Sequence, residues 1–191
     1  MKTISENEDC EEKTIEELCK INPENLKKKL PFINYVNIKS IKNNKINHIN
    51  KYIDEYPGRA IRIIKKYDIL YSTVRPNLKG YTIVNQEYEN MIATSGLAVI
   101  RSKVINPIYI YNLIIDENIN KYLISKCGGS SYPAFDSEIF KEIKLKIPKN
   151  KQLIKDMEPQ FQELEQLHVD VKNADKKYKD LIEELKNEAI K

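Results

Sequence analysis

Short apolar runs separated by polar turns dominate the first 150 residues. Phe32–Ile38, Ile69–Val74, Tyr81–Val84 and Leu97–Ile100 are each rich in β-branched or aromatic residues. Runs of this length and composition predict mostly buried strands. Ile143–Ile147 instead alternates apolar residues with lysines, which is typical of an edge or half-exposed strand. The pattern therefore predicts a sheet-rich domain.

The central strand lies within Tyr67–Lys79, which reads YDILYSTVRPNLK. Because proline cannot donate to a ladder, Pro76 marks the point where the chain leaves the sheet. Arg75, Asn77 and Lys79 stand at this exit, and each carries hydrogen-bond donors that suit phosphate or base-edge contacts. The alternative is a sheet-end arginine in a local salt bridge.

Helix signals flank the strands. Thr14–Ile21 begins with a capping pattern, with Glu17 three residues after Thr14, and predicts a short helix. Pro107–Ile115 starts with a proline and continues with large apolar residues, which predicts a buried helix followed by a second one to about Ser125. Asp136 suits the N-cap of a further short helix.

The composition changes after Pro148, where glycine disappears and apolar residues recur every three or four positions. This spacing predicts a long helix within residues 149–191, with a seam of about four heptads and roughly 45 Å in length. One such helix cannot bury its own apolar face, so it either folds back on the domain or pairs with another chain, and we favour pairing in a coiled coil. The predicted dimerisation seam is Phe161, Leu164, His168, Val171, Asp175, Tyr178, Ile182 and Leu185.

Polar and acidic residues 1–13 predict a disordered leader, which leaves residues 14–148 as the folded domain. No run approaches the roughly 18 apolar residues of a membrane span, and no signal-peptide core is evident, so we expect an intracellular, cytoplasmic protein. Three scattered cysteines and two histidines lack metal-ligand spacing. We therefore expect no zinc site, no disulfide framework and no cofactor.

The positive charge is concentrated in one block. Residues 27–79 carry 13 lysines and arginines against three acidic residues, whereas residues 1–26 have a net charge of −5 and residues 80–191 of −1. A concentrated basic block predicts a nucleic-acid surface. A solvated lysine-rich face is the alternative.

Residues in this block supply the candidate contacts. Asn43 and Asn44 form a turn signal flanked by lysines, at a hairpin tip or in an exposed loop. Asparagine side chains suit adenine and lysines suit phosphates. The candidate DNA contacts are Lys42, Asn43, Asn44, Lys45, Arg59, Arg62, Arg75, Asn77 and Lys79.

Catalytic motifs are missing from the sequence. It has no Gly-rich phosphate loop, no His-Glu-x-x-His and no nucleophile elbow. Residues 106–109, Asn-Pro-Ile-Tyr, partly match the Asn-Pro-Pro-Tyr segment of amino-methyltransferases, but no Gly-rich cofactor loop precedes them. We interpret this segment as a helix start and expect no enzyme activity in this chain.

Five segments carry a family resemblance: FINYVNIKSI, YDILYSTVRP, ATSGLAVIR, GGSSYPAF and KLKIP, followed by the long helix. In this order they resemble the specificity (S) subunit of type I restriction-modification enzymes, namely one target recognition domain with its following conserved helix. The resemblance covers roughly residues 14–190. The family's Pro-Pro-Leu-x-x-Gln pattern is reduced here to Pro148 and Gln152.

The resemblance implies an α/β fold of the α+β type, a mixed-sheet target recognition domain followed by a long C-terminal coiled-coil helix. Since a full S subunit has two such halves, this chain resembles a half-subunit. The implied assembly is a homodimer with antiparallel helices that set the spacing of a bipartite double-stranded DNA site. Methyltransferase (M) and restriction (R) subunits would supply the chemistry. The alternative is a coiled-coil adaptor or decoy that binds those subunits without reading DNA.

Overall fold

The computed structural model describes residues 10–129 and 132–157, with positions 159–160, 162–163, 166–167, 170–171, 173–174, 177–178 and 180–181. Contacts divide the chain into two units, Met1–Ile154 and Lys155–Lys191. The described helices are α1 (Ile15–Leu18), α2 (Pro107–Ile114), α3 (Glu117–Ser125) and α4 (Lys151–Asp156). The strands are β1 (Cys10–Thr14), β2 (Cys19–Ile21), β3 (Phe32–Val36), β4 (Ile41–Lys42), β5 (Lys45–Ile46), β6 (Asn50–Ile53), β7 (Ala60–Ile63), β8 (Ile69–Ser72), β9 (Tyr81–Ile83), β10 (Met91–Thr94), β11 (Leu97–Ser102) and β12 (Lys144–Pro148).

Two four-stranded sheets form the centre of the first unit. The first sheet has the order β6-β3-β10-β7 and is mixed, because β10 runs parallel to β3 while the other pairs are antiparallel. The second has the order β2-β11-β8-β9 and is antiparallel throughout. The α/β class with mixed sheets and few helices is confirmed.

Strand β8 is an interior strand, as its apolar composition predicts. It pairs with β11 on one side and β9 on the other, and all four of its residues are buried. The chain leaves the sheet after Ser72, and Pro76 begins a short 3-10 turn, Pro76–Leu78. The predicted turn at Pro76 is present, but the strand ends at Ser72, before the predicted exit.

The two sheets share one core. One apolar cluster joins Val36, Met91 and Ala93 of the first sheet to Leu70, Leu97 and Val99 of the second. Aromatic contacts continue on the outer side of the second sheet, where Tyr71 lies against Phe140 and Tyr81 against Tyr111 of α2. The hydroxyl of Tyr71 donates to Asn120 of α3 at 2.8 Å. Because Tyr71 and Asn120 are both buried, α3 has a fixed position on this sheet.

The N-terminal segment differs from its prediction. Thr14 and Glu17 form the expected capping box, but the helix ends at Leu18 and Cys19–Ile21 forms a strand on β11. Cys10–Thr14, predicted within or beside a disordered leader, pairs antiparallel with β12. Glu12 forms an ion pair with Lys144 at 3.6 Å, so opposite charges accompany a pairing that local sequence does not reveal.

The sequence predicts one long helix within residues 149–191. In the structure, the short helix α4 (Lys151–Asp156) lies at the start of this region. Its Ile154 is buried, so the first unit extends past the predicted boundary at residue 148. Of the predicted seam, Val171 and Tyr178 are described, and both are helical and exposed. The other seam positions lie outside the described residues: Phe161, Leu164, His168, Asp175, Ile182 and Leu185.

A buried charge pair joins the start of β8 to the end of its antiparallel neighbour β11. Asp68, which is fully buried, precedes β8, and its two carboxylate oxygens accept from Nε and Nη2 of Arg101 in β11 at 2.7 and 2.8 Å. The amide of Lys65 donates to the same carboxylate at 2.8 Å, and Arg101 also contacts Glu24. Hydrogen bonding to Asp68 raises the pKa of Arg101 further above its usual value. The carboxylate is therefore fully compensated.

We expect Arg101→Met to lower the free energy of unfolding by about 3–5 kcal/mol, because it leaves the carboxylate of Asp68 buried without its charge partner. Urea unfolding followed by circular dichroism measures this. Lys141→Met is the matched control, because Lys141 pairs with Glu138 at 2.6 Å on the surface, where such a pair contributes about 0–1 kcal/mol. Equal effects of the two variants would contradict the assignment.

Candidate nucleic-acid interface

The candidate contacts gather where several strands begin or end. Val36 of β3 lies beside Ala93 of β10, Thr94 lies beside Ala60 of β7, and Ser72 of β8 pairs with Leu97 of β11. The segments after β3, β8 and β10 therefore meet those before β7, β9 and β11. We call this surface the loop end. It is opposite the Asp68–Arg101 pair along β8.

The basic turn after β3 is a two-residue hairpin. Strands β4 and β5 pair around Asn43 and Asn44, whose φ angles are 53° and 58°. Two successive left-handed residues are typical of a type I′ turn, and asparagine tolerates this conformation. The hairpin alternative is therefore confirmed over the open loop. The side chains of Lys42, Asn43 and Asn44 are exposed, and Lys45 is half-buried.

Hydrogen bonds fix this hairpin to the domain. Asn47 Nδ2 donates to the carbonyls of Lys42 and Lys45 at 2.8 and 3.2 Å. Thr82 Oγ1, in β9, donates to the carbonyl of Asn44 at 2.7 Å. The tip is thus held against the second sheet through its main chain, and its side chains are presented from a defined backbone.

The turn between β8 and β9 has an unusual backbone. Arg75 and Lys79, which bracket Pro76–Leu78, have φ angles of 51° and 52°. Left-handed geometry is uncommon for long side chains, and the position before a proline restricts it further. The amide of Arg75 donates to the carbonyl of Pro133 at 2.7 Å. The turn is therefore held by the loop that precedes Phe135.

That loop contributes a residue that the sequence does not single out. The guanidinium carbon of Arg75 lies 4.4 Å from the centre of the Tyr132 ring, which is a cation–π contact. Tyr132 is 69% exposed. It lies 57 positions from Arg75 in the chain, and its sequence signal is an aromatic residue beside Pro133 in a glycine-containing loop.

Lys79 differs from the other cations of this surface because Glu117 of α3 accepts from its ammonium at 2.6 Å. This hydrogen bond raises the pKa of Lys79 and lowers that of Glu117. Both side chains are solvent-exposed, so the pair is weak and exchangeable. The carboxylate of Glu117 thereby partly offsets the positive charge of Lys79 at this surface.

The two arginines of the β7 region separate. Arg59 precedes β7, its side chain is exposed, and its carbonyl accepts from the amide of Ser95 at 2.8 Å. Arg62 lies within β7, where Nη1 donates to Asn25 at 2.7 Å. The structure therefore brings Lys42, Asn43, Asn44, Lys45, Arg59, Arg75, Asn77 and Lys79 to the loop end and gives Arg62 a partner elsewhere.

No helix in the described part of the chain is long and apolar enough to cross a membrane. Within the same residues, no group of three or more His, Cys, Asp or Glu side chains is arranged to hold a metal ion.

Comparison with known proteins identifies the family. The profile described as "Type I restriction modification DNA specificity domain" matches residues 7–187. The chain belongs to this family. The resemblance inferred from the sequence segments is therefore confirmed for nearly the whole chain.

Relatives of this specificity domain are longer. The HindI specificity subunit of Haemophilus influenzae is 27% identical over 123 residues, which are 62% of this chain and 27% of the relative. The HsdS subunit of Thermoanaerobacter tengcongensis superposes with a TM-score of 0.65 at 22% identity, over 84% of this chain and 44% of the other. A structure from work on assembly and conformational transition of the type I R-M system superposes with a TM-score of 0.67 at 22% sequence identity, again over 84% of this chain and 44% of the other. The specificity domain thus spans less than half of each of these chains and shares the fold of the two solved structures.

For the hairpin, we expect Thr82→Val to speed amide hydrogen exchange across residues 41–47, because it removes the hydroxyl that holds the carbonyl of Asn44. The loss in the free energy of unfolding should be about 1 kcal/mol. Thr73→Val is the matched control, since the Thr73 hydroxyl donates to Gly96 at 3.2 Å outside the hairpin. Unchanged exchange at residues 41–47 in Thr82→Val would show that the tip is held by other contacts.

Proposed function

We propose that this chain reads double-stranded DNA sequence-specifically, as a half-size specificity subunit of a type I restriction-modification system. The observation that carries this proposal is the convergence of eight candidate contacts on the loop end of a domain that belongs to the specificity family. Five of these residues are cations, and three are asparagines that can pair with base edges.

The chemistry of the loop end favours duplex DNA as the ligand. Arginine and asparagine form bidentate hydrogen bonds with guanine and adenine in the major groove, and lysines contact the phosphates. A two-stranded ribbon fits the major groove, and the Asn43-Asn44 hairpin has this form. We therefore assign phosphate contacts to Lys42, Lys45 and Arg59, and base contacts to Asn43, Asn44 and Asn77. Lys79 can join the phosphate contacts if DNA displaces Glu117.

The proposed assembly is a homodimer through the C-terminal helix, in the form of a coiled coil. Leu167, Val171, Tyr178 and Leu181 are helical, between 47% and 68% exposed, and spaced so that they share one face. An apolar face of this kind favours a partner helix. Two copies would place two reading surfaces on a bipartite site, and the helices would set the distance between its halves.

In this proposal the chain is a non-catalytic reader, and methyltransferase and restriction subunits bound to it supply the reactions. The rival proposal is an adaptor or decoy that uses the same exposed helix face but binds no DNA. The two differ at the loop end alone, so DNA binding and its dependence on loop-end residues decide between them.

We expect affinity for duplex DNA to fall steeply between 50 and 200 mM salt, with a slope of log K against log salt of about −0.9 per neutralised phosphate. Arg59→Ala should make this slope shallower by about 0.9. Arg62→Ala, the matched control, should leave it unchanged because Arg62 is bonded to Asn25. Fluorescence anisotropy measures both. A flat salt response, or no binding, would favour the adaptor.

For the dimer, we expect light scattering to show two copies for the full chain and one for the double variant Val171→Glu with Tyr178→Glu, because the charges occupy the apolar face. Gln162→Glu with Asn173→Glu is the control, since these residues are exposed on another side of the same helix. A monomeric wild-type chain, or a charged-face variant that stays dimeric, would contradict the proposed helix pairing.

A further inference from the structure

The guanidinium of Arg75 and the ring of Tyr132 form a cation–π pair at the loop end. Their backbones are joined by a short antiparallel pairing beyond β8, in which Val74 bridges Ala134. The amide of Arg75 donates to Pro133, and the amide of Phe135 donates to Thr73 at 3.0 Å. These bonds place the guanidinium over the Tyr132 ring, with 4.4 Å between the Arg75 Cζ atom and the ring centre.

The loop that carries Tyr132 is itself closed. Gly128 and Ala134 exchange two main-chain hydrogen bonds of 2.9 and 3.0 Å. Gly129 has a φ of +85°, and a Cβ atom there would lie 3.3 Å from the carbonyl oxygen of Tyr132. The loop therefore depends on glycine at this position. The ring of Tyr132 projects from a closed loop and is still 69% exposed.

Backbone strain is also concentrated here. Among the described residues, most non-glycine positions with positive φ are Asn or Asp, which tolerate it; Tyr67, Arg75 and Lys79 are the others. Two of these three bracket the turn at the loop end. Such a conformation is energetically costly and persists only where surrounding contacts enforce it. The chain maintains a strained backbone at the residue that carries the stacked guanidinium.

Contact with an aromatic ring still allows an arginine to donate hydrogen bonds to a base. An aromatic ring covers the flat face of a guanidinium, whereas hydrogen bonds to a base lie in its plane, so the two interactions are compatible. A stacked arginine also has fewer rotamers to lose when it binds. The in-plane fork matches O6 and N7 of guanine in the major groove. A phosphate contact requires charge, which lysine supplies equally well, and needs no such platform.

We propose that Arg75 reads a guanine through the major groove and that Tyr132 is its positioning residue, which holds the guanidinium plane in the reading orientation. This inference rests on the proposed DNA-reading function and assigns it one base and one platform. Lys79, which lies four residues away and pairs with Glu117, is left as a phosphate contact.

The test is selection of duplexes from a pool with a randomised 20-base-pair segment, bound by the full-length chain and sequenced. In Arg75→Lys, which keeps the charge and loses the fork, the preference for guanine at one position of the half-site should fall about 10- to 100-fold. The other positions should be unchanged. Tyr132→Ala should weaken the same guanine preference, and Tyr132→Phe, which keeps the stack, should restore it.

Two controls distinguish a loss of base recognition from the loss of a positive charge and from a loss of stability. Lys51→Ala removes the cation of another stacked pair, Lys51 over Phe32 at 5.0 Å, on the edge strand β6, and should leave the guanine preference intact. The thermal midpoints of the Arg75 and Tyr132 variants should match the wild type within about 3 °C, because both side chains are exposed.

Each outcome is distinguishable. If Arg75→Lys and wild type select the same sequences, and Arg75→Ala lowers affinity for all of them with a salt slope shallower by about 0.9, Arg75 contacts phosphate and the proposal fails. If Arg75→Lys relaxes the site but Tyr132→Ala does not, the platform role fails. If the wild-type chain enriches no sequence, the proposed reading function fails, and the inference fails with it.

Discussion

The structure depends on a buried carboxylate at the start of its central strand. Asp68 is fully buried and compensated by a bidentate contact from Arg101, so β8 and β11 are fixed to each other at that end. From there β8 runs through the core with every residue buried, ends at Ser72 and leads into the strained turn at Arg75. A charge that cannot be left unpaired thus sets the register that delivers Arg75 to the opposite end.

Local chemistry made much of this fold predictable. The interior strand β8, the turn at Pro76 and the helices α2 and α3 follow from apolar composition and proline placement. The sequence around Asn43 allows either a hairpin tip or an exposed loop. The left-handed conformations of Asn43 and Asn44 form the hairpin. The basic block also predicted which segments would supply cations, because residues 27–79 contain the turns of the loop end.

Contacts between distant residues were not predictable from one sequence. The sequence of strand β1 is acidic and predicts a leader, yet the strand pairs with a lysine-rich strand 130 or more positions away. Arg62 looks equivalent to Arg59 in the sequence, but its partner Asn25 lies in another segment. Glu117 accepts a hydrogen bond from Lys79, 38 positions away in the chain. Tyr132 contacts the guanidinium of Arg75, 57 positions away. In each case the partner depends on tertiary packing, which overrides local propensity and charge.

At the loop end, the atoms that hold the backbone in place are separate from the side chains that face solvent. Its hairpin is held through the carbonyl of Asn44, its turn through the amide of Arg75, and the entry to β7 through the carbonyl of Arg59. All three bonds use main-chain atoms of residues whose side chains face solvent. Since the side chain can be exchanged without removing the bond, such a surface can change its ligand while keeping its shape. Arg75 with Tyr132 is the exception, because there the side chains also position each other, and that is where substitution should alter recognition most.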